Sequence, residues 1–465
     1  MTGERMLSGA AGRGVIAATL MAALATSVAF FPAKTAFLVL TLAMSGALIW
    51  KVGLRRGAWL LALITIPLRQ PLGSDVLGTI TLYYGDVLLF TLLGATLWRE
   101  GLSGFLRSTT LRIGLAILAI STAGLYGAPQ PIHGLETVHR MAAQLAVFVI
   151  AKSEIRTAGD ARQSLLAFLG GLSVAMTYGL YQASLPVTPG AYVGWATAHA
   201  AYDAGTGDMK LRIFSTYDHA LHFSHALSVG FGLALGLLSG RQGVWGRVFL
   251  GAVVVAAATC NQHTYSVGGA VAVGSTVAVW SVLGSRRRLL VILPALVLVW
   301  TVSAPDALYR RLDQVFSGKS TSAMARIITY HQVAEVVRDH PVRGVGWGGI
   351  SRSLDQDYRT SHARSVALTA ENLFLQRALA MGVPGLALVV ALFVLFARNV
   401  AKGRPPPGRS RPEEWPRAAL ILGGTAFLVQ GMVIPVGDES SNYLLWFLLA
   451  MAERMHEATT TSGGA

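Results

Sequence analysis

Apolar runs that approach the thickness of a bilayer recur along the whole chain, and that pattern fixes the fold class. They fall at about residues 14–31, 35–50, 58–68, 80–97, 111–125, 141–151, 164–185, 220–238, 248–260, 267–283, 289–302, 373–396, 418–436 and 443–455. A transmembrane helix needs ~20 mostly apolar residues. The shorter runs, 58–68 and 141–151 above all, must therefore extend into flanking small or polar residues. Only 13% of residues are charged, about half of what a soluble domain carries. The expectation is an all-α, polytopic integral membrane protein with about 12–14 transmembrane helices and one long extracytoplasmic loop. A β-barrel is excluded, because its strands alternate apolar and polar residues. The run 14–31 follows Arg5 and Arg13. It reads as a retained span rather than a leader, since similar runs follow it throughout.

Charge supplies the topology. The formal net charge is +15, but Lys and Arg accumulate in cytoplasmic loops of membrane proteins for topological reasons. With no nucleic-acid-binding motif beside it, nucleic acid is not an expected partner. With the N-terminus inside, the cytoplasmic loops collect about 23 Lys/Arg and the short outer loops about five, and the alternation never fails. Both termini are then cytoplasmic. The one cysteine, Cys260, allows no intrachain disulfide and makes a cysteine-based metal site implausible. No internal repeat marks the chain as a two-fold transporter.

The long polar segment 305–372 divides the chain into an N-terminal bundle (1–304), this outer loop, and the C-terminal helices (373–465) with their Pro/Arg-rich cytoplasmic loop at 402–416. Nine Lys/Arg lie between Arg310 and Arg364. Residues 322–339 read as an amphipathic helix with Ser322 as its N-cap, ended by Asp339-His340-Pro341. The glycine-rich 344–349 is a weak phosphate loop, because no strand precedes it and no Gly-Lys-Ser/Thr follows. Glu371-Asn372 close the segment at the mouth of a span. A carboxylate there suits either a helix N-terminus or a general base. Two further outer segments, 186–218 and 261–266, stand near it in topology. Arg212 is a snorkelling anchor or a phosphate clamp. Asp218, His219, His222 and His225 form a polar face at helical spacing. They point to a wet cavity more than to a metal site. His263 and Tyr265 belong to a polar turn and have the chemistry to donate to a phosphate or a sugar.

The order of these motifs resembles the O-antigen ligase and O-antigen polymerase superfamily. The carriers are Arg326 followed by His340-Pro341-Val342-Arg343-Gly344-Val345-Gly346-Trp347, then Glu371-Asn372-Leu373-Phe374-Leu375-Gln376 with Gly382-Val383-Pro384-Gly385, and Arg212 before a span. Relatives usually have His where this chain has Glu371. They often have Arg where it has Val267.

The resemblance implies an inverting glycosyltransferase of surface polysaccharide biosynthesis in the bacterial inner membrane, working on its extracytoplasmic face without metal or other cofactor. The donor would be a glycan on undecaprenyl diphosphate. The acceptor would be a sugar hydroxyl on a lipid-linked glycan or a glycolipid. Glu371 and Arg212 would be catalytic. Arg326, Arg343, His340, Asn372, Asp218, His219, His263 and Tyr265 would bind substrate. The alternatives are a flippase for lipid-linked sugars, which needs no base at residue 371, and a non-catalytic scaffold among polysaccharide-export proteins. The topology predicts that an impermeant thiol reagent labels Ser353→Cys in intact spheroplasts and spares Ser410→Cys. The reverse pattern overturns it.

Overall fold

The computed structural model describes residues 53–68, 71–73, 82–184, 200–202, 209–217, 219–240, 242–283, 306–318, 321–358, 369–403, 415–433 and 440–462. The apolar runs 14–31, 35–50 and 289–302, and residue Asp218, lie outside them. The chain divides into two compact units, 1–61 and 62–465. The first is described only from Gly53, where α1 (Leu54–Thr65) begins.

The second unit is built from helices: α2 (Tyr84–Glu100), α3 (Thr109–Ala123), α4 (Pro131–Glu154), α5 (Ala158–Ser184), α6 (Ala220–Leu238), α7 (Val244–His263), α8 (Val267–Leu283), α9 (Asp306–Phe316), α10 (Thr321–Asp339), α11 (Leu373–Lys402), α12 (Trp415–Gly431) and α13 (Ser440–Ser462). Two short antiparallel strand pairs, Pro71–Gly73 with Leu82–Tyr83 and Ala200–Tyr202 with Met209–Leu211, do not change the all-α class. Four of the described helices are long and apolar enough to cross a membrane: α5, α6, α7 and α11. The protein is an all-α polytopic membrane protein. The weak run 141–151 is the second half of the 24-residue α4, whose polar first half supplies the missing length. Helix α10 starts at Thr321 rather than after Ser322.

Helix α6 is the centre of the unit, packed by α7, α8 and α12. Its apolar sequence runs all round, as suits a helix surrounded by others. It approaches α12 so closely that a Cβ on Gly236 would lie 2.2 Å from Ala419 Cα. Small residues at such crossings let backbones meet. At the far end of the bundle, the buried Lys152 of α4 pairs with Glu453 and, at 2.8 Å, with Glu457 of α13. Ser108 Oγ donates to Glu453 at 2.8 Å. A buried cation is tolerable only with such partners.

Helix α11 corrects the expectation of one straight span over 373–396. Gly382 has φ +67° and ψ −169°, which is not helical. Phe374 and Phe393 nevertheless touch, ring centroids 5.7 Å apart. Nineteen residues of straight helix would separate them by about 28 Å. The chain therefore folds back at Gly382. A short limb, 373–381, packs against a long limb, 383–402, of about 30 Å, and Leu373, Arg377, Val389 and Leu392 of the two limbs line one small cavity together with residues of α3, α4 and α13. Pro384 sits in the first turn of the long limb, where a missing N–H does no harm.

The loop after α10 holds this hairpin. The N–H groups of Val345 and Gly346 donate to Leu379 O (2.9 Å) and Ala380 O (3.1 Å), and Val383 N donates to Pro341 O (2.7 Å). These are end groups that a broken helix leaves without partners. The approach is backbone to backbone. A Cβ on Gly344 would lie 2.5 Å from Leu379 O, and one on Gly382 2.5 Å from Pro341 O; both glycines have positive φ. Gly382→Ala is expected to lower the thermal midpoint of the detergent-solubilised protein, with strain alone worth about 1–3 kcal/mol. Gly274→Ala, in α8 with open space around its Cβ position, is expected to be neutral or slightly stabilising.

Candidate functional site

Glu371 stands at the start of the short limb, eleven residues and about 16 Å from the hairpin tip. Its φ is +44°, a conformation that costs a non-glycine residue roughly 1–3 kcal/mol. Side chains on either side impose it. Asn372 caps α11: its Oδ1 accepts from Phe374 N (2.9 Å) and Leu375 N (3.1 Å), and its Nδ2 donates to Met432 O (3.0 Å). Gln376 Oε1 accepts from Ala370 N at 2.8 Å. The Glu-Asn-x-x-x-Gln spacing is thus a clamp around one strained residue. The carboxylate of Glu371 accepts from Arg326 Nε of α10 at 2.6 Å. The two side chains are 39% and 27% exposed, so the pair faces an accessible space while keeping one fixed geometry.

Arg212 is anchored by Nε to Thr264 O at 2.8 Å, in the turn between α7 and α8. Ile213 N donates to His263 O at 3.2 Å. The stretch 212–215 is therefore docked on that turn. Its Ser215 and the turn's Tyr265 also have positive φ, +56° and +50°. Gln182 of α5 holds the first, accepting from Ser215 N at 2.7 Å. The ring of Tyr265 is buried against Leu308 of α9. Val267 opens α8, and the next residue meets α12's end: a Cβ on Gly268 would lie 2.2 Å from Val433. Met432 in turn holds Asn372. Arg212, the α7–α8 turn, residues 432–433, Asn372, Glu371 and Arg326 thus form one continuous contact path.

The other sequence-derived candidates fall in different places. His219 caps α6, its Nδ1 accepting from Leu221 N at 3.0 Å, with His222 5.4 Å away ring to ring. His340 and Arg343 sit beyond the C-terminal end of α10, about 20 Å along that helix from Arg326. Arg343 Nη2 donates to Ala123 O (3.3 Å) and Tyr126 O, closing the end of α3. Among the described residues no group of three or more His, Cys, Asp or Glu is arranged to hold a metal ion.

Two residues of the site region were missed in the sequence. Gln376 was read only as part of a motif, and Arg377 not at all. Arg377 is 6% exposed, and its guanidinium lies 4.8 Å from the ring of Trp347. Trp347 Nε1 donates to Ser121 Oγ (3.1 Å), and that hydroxyl contacts Met381 Sδ (3.1 Å). This stack fastens the short limb to α3 and to the glycine loop. An arginine inside an apolar run was the available signal. On the far side of the glycine loop, Tyr358 donates to Asp339 at 2.8 Å; that bond, more than desolvation, raises the phenol's pKa above its ordinary value.

No curated protein matches the chain. A family model described as O-antigen ligase matches residues 252–390, the stretch from α7 through the hairpin tip. It contains Arg326, the glycine loop, Glu371 and Asn372, and leaves Arg212 outside. Over residues 252–390, a little under a third of its length, the chain is similar to the O-antigen ligase family.

Proposed function

We propose that the protein is a membrane glycosyltransferase of surface polysaccharide biosynthesis that moves a glycan from a polyprenyl diphosphate carrier to a sugar hydroxyl at the outer face of the inner membrane. The observation that carries this reading is the Arg326–Glu371 pair, a clamped, half-exposed carboxylate at the head of a short helix within the matched domain. An acceptor hydroxyl is a weak nucleophile at neutral pH. A base in contact with it contributes typically 10²–10⁴-fold.

In the proposed reaction Glu371 accepts the acceptor's proton while the acceptor oxygen attacks the anomeric carbon of the donor sugar. The bond from that carbon to the phosphate oxygen breaks on the opposite face, and the carrier diphosphate leaves with the bonding electrons. Attack opposite the leaving group inverts the anomeric centre. Arg326 keeps the carboxylate aimed, through the 2.6 Å contact from its Nε. Arg212 stabilises charge that builds on the leaving diphosphate, an electrostatic contribution to the transition state. Asn372 and Gln376 act as positioning residues, since their side chains are bonded to the backbone around Glu371.

The test is the glycan left on the carrier lipid. Glu371→Gln preserves shape and removes basicity, so turnover is expected to fall about 10²-fold or more while donor still binds. Single repeat units accumulating on the carrier identify a polymerase, and full-length chains a ligase. Wild-type turnover in Glu371→Gln removes the base assignment. Arg212→Lys is expected to impair transfer nearly as much as Arg212→Ala, because an ammonium cannot keep the Nε contact to Thr264 and still offer a planar fork to phosphate. Full activity of Arg212→Ala at normal protein level overturns the clamp.

A further inference from the structure

A cleft among the described residues lies away from Glu371. It lies at the hairpin tip, between the turn that follows α3 and the loop that follows α10, with a volume of about 470 Å³. That is within the range of small-ligand sites, ~300–1,000 Å³. Its lining includes Tyr126, Pro129, His340, Pro341, Arg343 and Ser353, and no carboxylate. Tyr126 is 85% exposed, a large ring at the cleft wall. Arg343 commits Nη2 to the carbonyls of Ala123 and Tyr126, which fixes its guanidinium at the wall. The remaining walls are glycines, prolines and small side chains, held because the glycine loop is hydrogen-bonded to α11 and Gln130 N donates to Gly348 O.

From this cleft we infer a second subsite that binds an anionic stretch of the glycan several residues away from the reacting sugar. The inference rests on the proposed glycosyl transfer. It differs from the carrier-diphosphate role implied for His340 and Arg343 by their sequence motif. Both residues stand at the opposite end of α10 from Arg326, about 20 Å away, too far to touch the same diphosphate. A glycan with one end at Glu371 reaches them along the outside of the short limb, whose length is about 12 Å. An exposed tyrosine offers a flat apolar face and a polar edge, which suits a sugar ring. An arginine and a histidine in a lining that holds no carboxylate suit carboxylate or phosphate substituents. The lining has only two branched aliphatic side chains, Val342 and Val345, so it offers little to acyl chains.

The purified full-length protein in detergent tests this by direct titration with hexagalacturonate, maltohexaose, monomeric galacturonate and a short-chain phosphatidylglycerol. The acidic hexamer is expected to bind at least about tenfold more tightly than the neutral hexamer or the monomer. Tyr126→Ala and Arg343→Gln are each expected to weaken it by about tenfold or more, and Tyr126→Phe to retain most of the binding. Glu371→Gln is expected to leave it unchanged, so that loss of turnover in that variant and loss of hexamer binding report separately on the reaction and on the subsite. Equal binding of both hexamers, no effect of Tyr126→Ala, no binding of any glycan, or preferential capture of the phospholipid each overturns the subsite. Tyr126→Ala removes an exposed ring, so its result does not depend on the fold surviving the loss of Arg343.

Discussion

The backbone clasp between residues 341–346 and 379–383 is the interaction on which the candidate site depends. A helix that stops and reverses leaves carbonyls at one end and N–H groups at the other without partners. In a membrane protein such groups are costly unless protein satisfies them. Here three hydrogen bonds of 2.7–3.1 Å from one loop close both ends of the break. The His-Pro-x-x-Gly-x-Gly loop and the Gly-x-Pro-Gly turn are therefore one device seen at two places in the sequence. Neither has a structural reason without the other. Their glycines are required by contact between backbones.

The contact path beside the clasp carries backbone strain. Among the described residues three non-glycine positions have positive φ: Ser215, Tyr265 and Glu371. Each lies on a different segment of the contact path that joins Arg212 to Arg326, and each is tied by neighbouring groups. Gln182 holds Ser215, Gln262 O accepts from Tyr265 N, and Asn372 with Gln376 brackets Glu371. Such conformations persist only where the surroundings over-determine them. Their clustering along one path, rather than in scattered loops, marks that path as the place where geometry matters most.

The helices were legible in the sequence because apolar runs map directly onto burial. The run 220–238 became α6 without change, and 267–283 became α8. The order of Arg326, the glycine loop and Glu371 was legible as well. The fold-back was not, because residues 373–396 are apolar on both sides of the turn and hydropathy is blind to chain direction. The turn residues Gly382, Pro384 and Gly385 were the local sign. The pairing of Arg326 with Glu371 was also hidden. Forty-five residues separate them, and only the parallel placement of α10 and the short limb brings them to 2.6 Å. The place of Arg343 was hidden for a related reason: the end carbonyls of α3 that receive its Nη2 lie more than two hundred residues away in the chain.

On the proposed reading, the two departures from the family pattern are linked by charge. With His at position 371, a neutral imidazole would leave an arginine at position 326 free to meet the diphosphate. With Glu371 the arginine is already engaged by a carboxylate, and its charge is largely neutralised toward a third group. The position of Val267 supplies no cation, and Arg343 is about 20 Å along α10 from the pair. Arg212 then carries most of the stabilisation of the leaving diphosphate from this path. Its anchoring by Nε to Thr264 points the role in the same direction, because a guanidinium held at one nitrogen loses little further freedom when it binds phosphate. The acidic base and the fixed Arg212 are thus two sides of one arrangement, in which the base is oriented by Arg326 and the leaving group is met by a different arginine.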